Sequence, residues 1–245
     1  MTAPNSDGVL FRPFAGLRVD QKWAARLSAP PYDVLNEEEA RALVAANPDS
    51  FLRVSRPEVN FPPGTDSHGA EVYAEAAVVM ASLVTSGQLV RDPGRRYYIY
   101  RMIDQGHRQT GIVGLASLAA YGDGRVLRHE NTTPDKEDDR VRHMQALDAQ
   151  VGPVMLAHRR SGPIADIIEA VTASPPLIEV TAADGVEHLL WDAGEAALME
   201  ATEAAFEDLG QLYIADGHHR AAAAARVAAA RPPVPDDGFL AVAFA

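Results

Sequence analysis

The segment Asp216-Gly217-His218-His219-Arg220 places an acid, a turn-forming glycine, two imidazoles and a guanidinium in five consecutive positions. An apolar run at 211–215 precedes it and an alanine-rich stretch follows, so the five residues are predicted to sit where a strand turns into a helix. Gly217 would permit the tight turn, and Asp216 is predicted to cap the helix by accepting backbone N–H bonds. Cationic side chains in a first turn oppose the helix macrodipole, which favours negative charge there. Free N–H groups with two imidazoles and a guanidinium instead suit a bound anion, above all a phosphate held by Gly217, His218, His219 and Arg220. Adjacent helical histidines point about 100° apart and lack the i,i+4 spacing of a zinc pair. Mg²⁺ shared between Asp216 and a phosphate is the more natural metal chemistry.

A second cluster runs from His129 to Arg140. Glu130 follows a strand-like Val126-Leu127, and a carboxylate at a strand end could act as general base toward a hydroxyl. Thr132 and Thr133 offer donors to phosphate oxygens, and Lys136 offers a charge to offset them. Asp135, Glu137, Asp138 and Asp139 fit the acidic first turn of a helix continued by Val141, Met144, Leu147 and Val151, and three of these four acids read as solvated. Asn131-Thr132-Thr133 also matches a glycosylation sequon, which matters only in a secreted chain.

The elements that must position these residues follow from periodicity and punctuation. The rigid Ala29-Pro30-Pro31-Tyr32-Asp33-Val34 leads to a helix with Asn36 as N-cap and Glu39 at capping-box spacing, running to about Ala46. Residues 51–54 read as a short strand, and 69–86 as a helix stopped by Gly87. Residues 97–103 and 110–121 read as paired strands around the turn Asp104-Gln105-Gly106-His107, with Gly122-Asp123-Gly124 as a further hairpin turn. Strands are predicted at 153–157, 177–181, 186–191, 211–215 and 239–244, and an amphipathic helix at 193–209. Long antiparallel pairs mixed with helices predict an α+β fold rather than a doubly wound parallel sheet. Neither Pro62-Pro63-Gly64 nor Asp92-Pro93-Gly94 makes a real linker, so residues 1–245 read as one domain.

Composition narrows the function classes. The net charge of −12 argues against a broad nucleic-acid footprint, which rests on basic charge. With 0 Cys there is no disulfide, zinc-thiolate site or cysteine nucleophile. No apolar run is long enough to span a membrane, and residues 1–7 lack a signal-peptide layout, so a cytoplasmic protein is expected. Lysine occurs only as Lys22 and Lys136 among 22 basic residues, which marks Lys136 out, although a G+C-rich coding bias gives the same pattern. There is no P-loop, Rossmann glycine fingerprint or Gly-x-Ser-x-Gly elbow, so a nucleotide site would need a less common architecture.

Asp216-Gly217-His218-His219-Arg220 after an apolar strand, with His129-Glu130 upstream, resembles the free serine kinases of the ParB/sulfiredoxin-like superfamily. More of the chain resembles the bacterial and archaeal family known as domain of unknown function 1015. That likeness is carried by Arg12-Pro13-Phe14, Pro30-Pro31-Tyr32-Asp33-Val34, Phe51-Leu52-Arg53-Val54, Arg56-Pro57-Glu58, His129-Glu130, Lys136-Glu137 and the Asp-Gly-His-His-Arg motif. It implies a ParB/sulfiredoxin-like mixed sheet with flanking helices. The implied activity moves phosphate between a nucleotide, ATP or ADP with Mg²⁺, and free L-serine, or in reverse from O-phosphoserine. Glu130 would take the serine hydroxyl proton, Asp216 would bind Mg²⁺ and serve catalysis, and His218, His219 and Arg220 would hold phosphate. Two departures stand out. The motifs lie farther apart than in the compact serine kinases, and family members continue beyond this chain's end, which implies a truncated or divergent member. A non-catalytic ParB-like nucleotide- or DNA-binding module and a metal-dependent phosphoesterase are the alternative readings.

Overall fold

The computed structural model describes residues 9–232, 234 and 237–245, so residues 1–7 lie outside it. The chain opens with β1 (Phe11–Arg12), β2 (Leu17–Val19), α1 (Ala24–Leu27), α2 (Glu37–Ala46), α3 (Leu52–Ser55), α4 (Ala70–Thr85) and β3 (Leu89–Arg91). It continues through β4 (Tyr97–Asp104), β5 (His107–Ser117), α5 (Leu118–Asp123), β6 (Val126–Leu127), α6 (Pro134–Leu147), β7 (Val154–Ala157) and α7 (Gly162–Thr172). The last elements are β8 (Ile178–Thr181), β9 (Glu187–Ala193), α8 (Ala196–Leu209), β10 (Leu212–Asp216), α9 (His218–Ala229) and β11 (Gly238–Phe244).

Among the described residues nine strands form one mixed sheet, ordered β6-β10-β7-β11-β5-β4-β9-β8, with β1 added beside the end of β5. Only the β6/β10 and β7/β11 pairs are parallel; the other pairs are antiparallel. The α+β class expected from the sequence is therefore observed. Period-two alternation divides the sheet into two faces. Tyr97, Ile99, Ile112, Ala116, Phe239, Ala241 and Ala243 on one face are fully buried, beneath α7 and α8. Tyr100, Val113, Leu115, Leu190 and Leu240 on the other are only half-buried, because α4, α6 and α9 cover that face incompletely. A smaller apolar cluster of Leu27, Val54, Val79, Leu83 and Leu89 packs below β2 and β3.

Several local expectations hold. Asn36 accepts from the Glu39 amide and Glu39 accepts from the Asn36 amide, completing the capping box. The 69–86 helix is α4, and Gly87 follows it with φ 72°. Others are corrected. No strand forms over residues 51–54; α3 runs from Leu52 to Ser55 with Phe51 as its N-cap, because Ser50 Oγ accepts the Leu52 amide and Phe51 is tied to Leu27, giving a turn that buries Leu52 and Val54 together. The strand read at 110–121 ends at Ser117, whose hydroxyl accepts the Ala120 amide at 3.2 Å and starts α5. Gly122-Asp123-Gly124 is then the end of that helix, with Gly124 left-handed, and not a hairpin turn. The helix read as reaching Val151 stops at Leu147, where Asp148 turns left-handed at φ 48°. The amphipathic helix begins at Ala196, since Ala193 still belongs to β9.

Candidate functional site

β6 and β10 run parallel at the edge of the sheet, with Val126 opposite Leu212 and Leu127 opposite Tyr213. Their carboxyl ends therefore point the same way. His129-Glu130 leaves one end and Asp216-Gly217 leaves the other, so two motifs 86 residues apart become neighbours.

The turn itself is not the capped junction expected from Asp216. Asp216 remains the last residue of β10, and Gly217 occupies the N-cap position with φ 93° and no side-chain cap bond. The tight left-handed turn leaves the Asp216 carboxylate facing Arg220 one helical turn on, and the two form a hydrogen-bonded ion pair. A Cβ on Gly217 would lie 3.1 Å from the Arg220 guanidinium carbon and 3.3 Å from Val154 Cα, pressing on both, and the left-handed φ is one that L-residues rarely adopt.

His218 is 4% exposed and packs edge-on against His129, ring centroids 4.5 Å apart. Its Nε2 accepts the His129 amide at 3.5 Å, while its Nδ1 lies 3.6 Å from Glu130 Oε2. That arrangement assigns a neutral ring with its proton on Nδ1, directed at the glutamate. Burial pushes this imidazole below the ordinary histidine range and His129 adds to the shift, against the opposing pull of Glu130 and Asp216. His219 Nε2 accepts the Thr133 amide at 3.1 Å. The two histidines thus clasp both ends of the segment 129–133 onto the start of α9.

Arg220 also donates to the Pro153 carbonyl, and its guanidinium lies 3.9 Å from Asp33 Oδ2. Asp33 comes from the proline-rich loop, and sequence reasoning assigned it no role. Arg56 fixes that loop by donating to the Tyr32 and Leu35 carbonyls at 2.9 and 2.6 Å while pairing with buried Glu58. Arg140 lies over the Tyr32 ring at 4.2 Å. Burial raises the Tyr32 phenol above its usual range despite the nearby Arg140 and Arg220 cations. The available signal was a Tyr-Asp pair on a rigid, solvent-facing loop.

The acids of α6 are less free than expected. Arg226 of α9 pairs with Asp138 at 2.6 Å and Glu137 at 3.3 Å, while Asp139 receives the Tyr73 hydroxyl at 2.7 Å and pairs with Arg140. Burial alone would raise Asp139, yet Arg140, Tyr73 and His68 outweigh it and hold the carboxyl below its ordinary range. Asp135 is exposed, whereas packing of α6 between α9 and α4 gives the other three partners. Thr132 donates to Glu137, inside the cluster. Lys136 is exposed on the first turn of α6, and among the described residues no hydrogen bond or ion pair ties it to the histidines or Arg220.

Glu130 is 62% exposed on the rim of a cleft of about 390 Å³, lined by Tyr121, Arg128, His129, Glu130, Asn131 and Thr132. Arg128 rests over the Tyr121 ring at 5.0 Å. Asp216 is 63% exposed, with one carboxylate oxygen on Arg220. Among the described residues no group of three His, Asp or Glu side chains forms a metal cage. A single open carboxylate nevertheless suits Mg²⁺, which commonly takes one or two protein carboxylates and completes its shell with phosphate and water. No helix among the described residues is long and apolar enough to cross a membrane.

An α+β protein whose parallel strand ends join a cationic helix start to an exposed glutamate is the class that fold and site define. The family described as protein of unknown function (DUF1015) matches residues 11–244, and the chain belongs to that family. Searches of curated proteins and of solved structures found no match.

Proposed function

We propose that the chain is a nucleotide-dependent phosphotransferase of ParB/sulfiredoxin-like fold acting on free L-serine or, in reverse, on O-phosphoserine. The observation that carries the reading is the meeting of Glu130 with His218 at the uncapped start of α9, 3.6 Å apart. Phosphoryl transfer needs mainly positioning, charge compensation and a base near the nucleophile, and those are the groups assembled here.

The amino acid takes the small cleft, with the Arg128 guanidinium offered to its carboxylate. The terminal phosphate lies against the first-turn amides of α9, where no side chain competes for them. Glu130 accepts the serine hydroxyl proton as the oxygen forms its bond to phosphorus. The bond from that phosphorus to the bridging oxygen breaks, and the shortened nucleotide leaves with the electron pair. His218, neutral with its Nδ1 proton directed at Glu130 from 3.6 Å, biases the orientation of the carboxylate electrostatically. Mg²⁺ held through Asp216 and phosphate oxygens would offset the charge on the transferring group.

The test is ³¹P NMR of the chain with Mg²⁺, first with O-phosphoserine and AMP or ADP, then with serine and ADP or ATP. Nucleotide-dependent movement of phosphate to or from serine is expected. Free phosphate released without nucleotide would replace the reading with a metal-dependent phosphoesterase. Absence of any reaction, with salt-dependent duplex DNA binding, would replace it with a binding module.

A further inference from the structure

On the half-covered face of the sheet lies a cavity of about 730 Å³. Tyr98, Tyr100, Val113, Leu115 and Val242 floor it, and Met80, Met144 and Val227 wall it from α4, α6 and α9. Pairing register puts all five floor residues on one face: Tyr98 and Val242 both oppose Val113, and Leu240 opposes Leu115. Ligand cavities are commonly of this size and character, apolar and aromatic with a few polar groups.

Two observations identify what such a cavity would hold. The tyrosine hydroxyls are already committed, Tyr98 to Asp92 at 2.5 Å and Tyr100 to His188 at 2.7 Å. The floor therefore presents ring faces and aliphatic surface suited to a flat heterocycle, while Arg18, Arg91 and Arg231 line the cavity elsewhere. The cavity also abuts the phosphate site. Gly152 and Pro153 line it, the Pro153 carbonyl accepts from Arg220, and a Cβ on Gly152 would lie 3.8 Å from Arg220 Cδ. α9 itself runs from the anion-binding turn at His218 along the cavity wall to Val227.

We infer that this cavity is the nucleoside subsite: the base and ribose of a nucleoside di- or triphosphate lie on the sheet face, and the phosphates pass Gly152-Pro153 to reach the start of α9. This rests on the phosphotransferase reading but is tested separately from it. With polar partners scarce on the floor, the subsite should tolerate more than one base.

Methionine methyl NMR gives the direct test, because Met80 and Met144 line the cavity while Met199 sits on α8 across the sheet. The chain would be labelled with methyl-¹³C methionine, assigned through Met80→Leu and Met144→Leu, and titrated with Mg²⁺ and ADP, adenosine or pyrophosphate. ADP and adenosine should shift the Met80 and Met144 methyls saturably, pyrophosphate should leave them in place, and Met199 should stay still throughout. A Val227→Trp chain that still melts cooperatively should bind ADP at least 10-fold more weakly with pyrophosphate affinity unchanged. Phosphate transfer with silent Met80 and Met144 methyls would overturn the subsite and spare the function. Methyl shifts without phosphate transfer would do the reverse. Equal shifts with pyrophosphate, or no binding of ADP and adenosine, would also overturn the subsite.

Discussion

His218 and Glu130 face each other at 3.6 Å although 88 residues separate them, the imidazole buried and the carboxylate open to solvent. A buried imidazole N–H pointed at an exposed carboxylate biases its orientation electrostatically. The cleft lies on the exposed side.

Glu130→Ala should therefore abolish phosphate transfer without unfolding the chain. A general base contributes roughly 10²–10⁴-fold, so turnover should fall by at least 100-fold while the melting temperature stays within a degree or two. Undiminished turnover in the ³¹P assay would remove Glu130 from the mechanism.

Gly217→Ala tests the turn. A left-handed conformation costs an L-residue about 1–2 kcal/mol, and here the new Cβ also presses on Arg220 and Val154. Denaturant unfolding should show a loss of at least that size, with weaker pyrophosphate binding as Arg220 is displaced. Wild-type behaviour in both would show that the junction tolerates a different backbone path.

Arg56→Ala should cost about 3 kcal/mol, because Glu58 would be left buried without its cation and two loop carbonyls would lose their donor. Loss of the loop's anchor should also release Asp33 from Arg220. Arg56→Lys should recover little, since one ammonium cannot reproduce the guanidinium fork. Urea midpoints of the three chains decide the matter.

His143 gives the pH dependence. It is buried, its Nε2 donates to the Val54 carbonyl at 2.8 Å, and burial followed by the Arg140 cation lowers its pKa to about 4, against the opposing Val54 bond and Asp139. The unfolded chain thus takes up this proton near 6.5 and the folded chain only near 4. Its contribution is fully present above 6.5 and drains away as pH falls toward 4, by up to about 3 kcal/mol. Asp139, held low instead, loses its contribution only below its ordinary carboxylate range. His143→Gln should flatten stability between pH 6.5 and 4.5 relative to wild type. An unchanged slope would assign the acid sensitivity to other groups.

Lys136→Ala, by contrast, should change neither stability nor pyrophosphate affinity by more than about 0.5 kcal/mol, as for a free surface side chain. A large loss of affinity would bring Lys136 to the phosphate in the bound state.

Much of the architecture was legible in the linear sequence because its causes are local. The capping box at Asn36 and Glu39, the stop at Gly87 and the hairpin between β4 and β5 depend on residues within a few positions of one another. The Asp-Gly-His-His-Arg segment announced itself as a strand-to-helix turn for the same reason. Tertiary packing decided the rest. Residues 51–54 have strand-like composition, yet contact with Leu27 and burial of Leu52 beside Val54 make Leu52–Ser55 helical. Asp216 has the chemistry of a cap, but the left-handed Gly217 turns its carboxylate to Arg220. The acids of α6 have the pattern of a solvated first turn, and only α9 docking against them supplies Arg226. Asp33 reaches Arg220 through a loop held by Arg56, across a sequence distance that no local pattern spans. Propensity and spacing act over one or two turns of chain. Which carboxylate meets which cation is settled when parallel strands bring remote segments to the same edge.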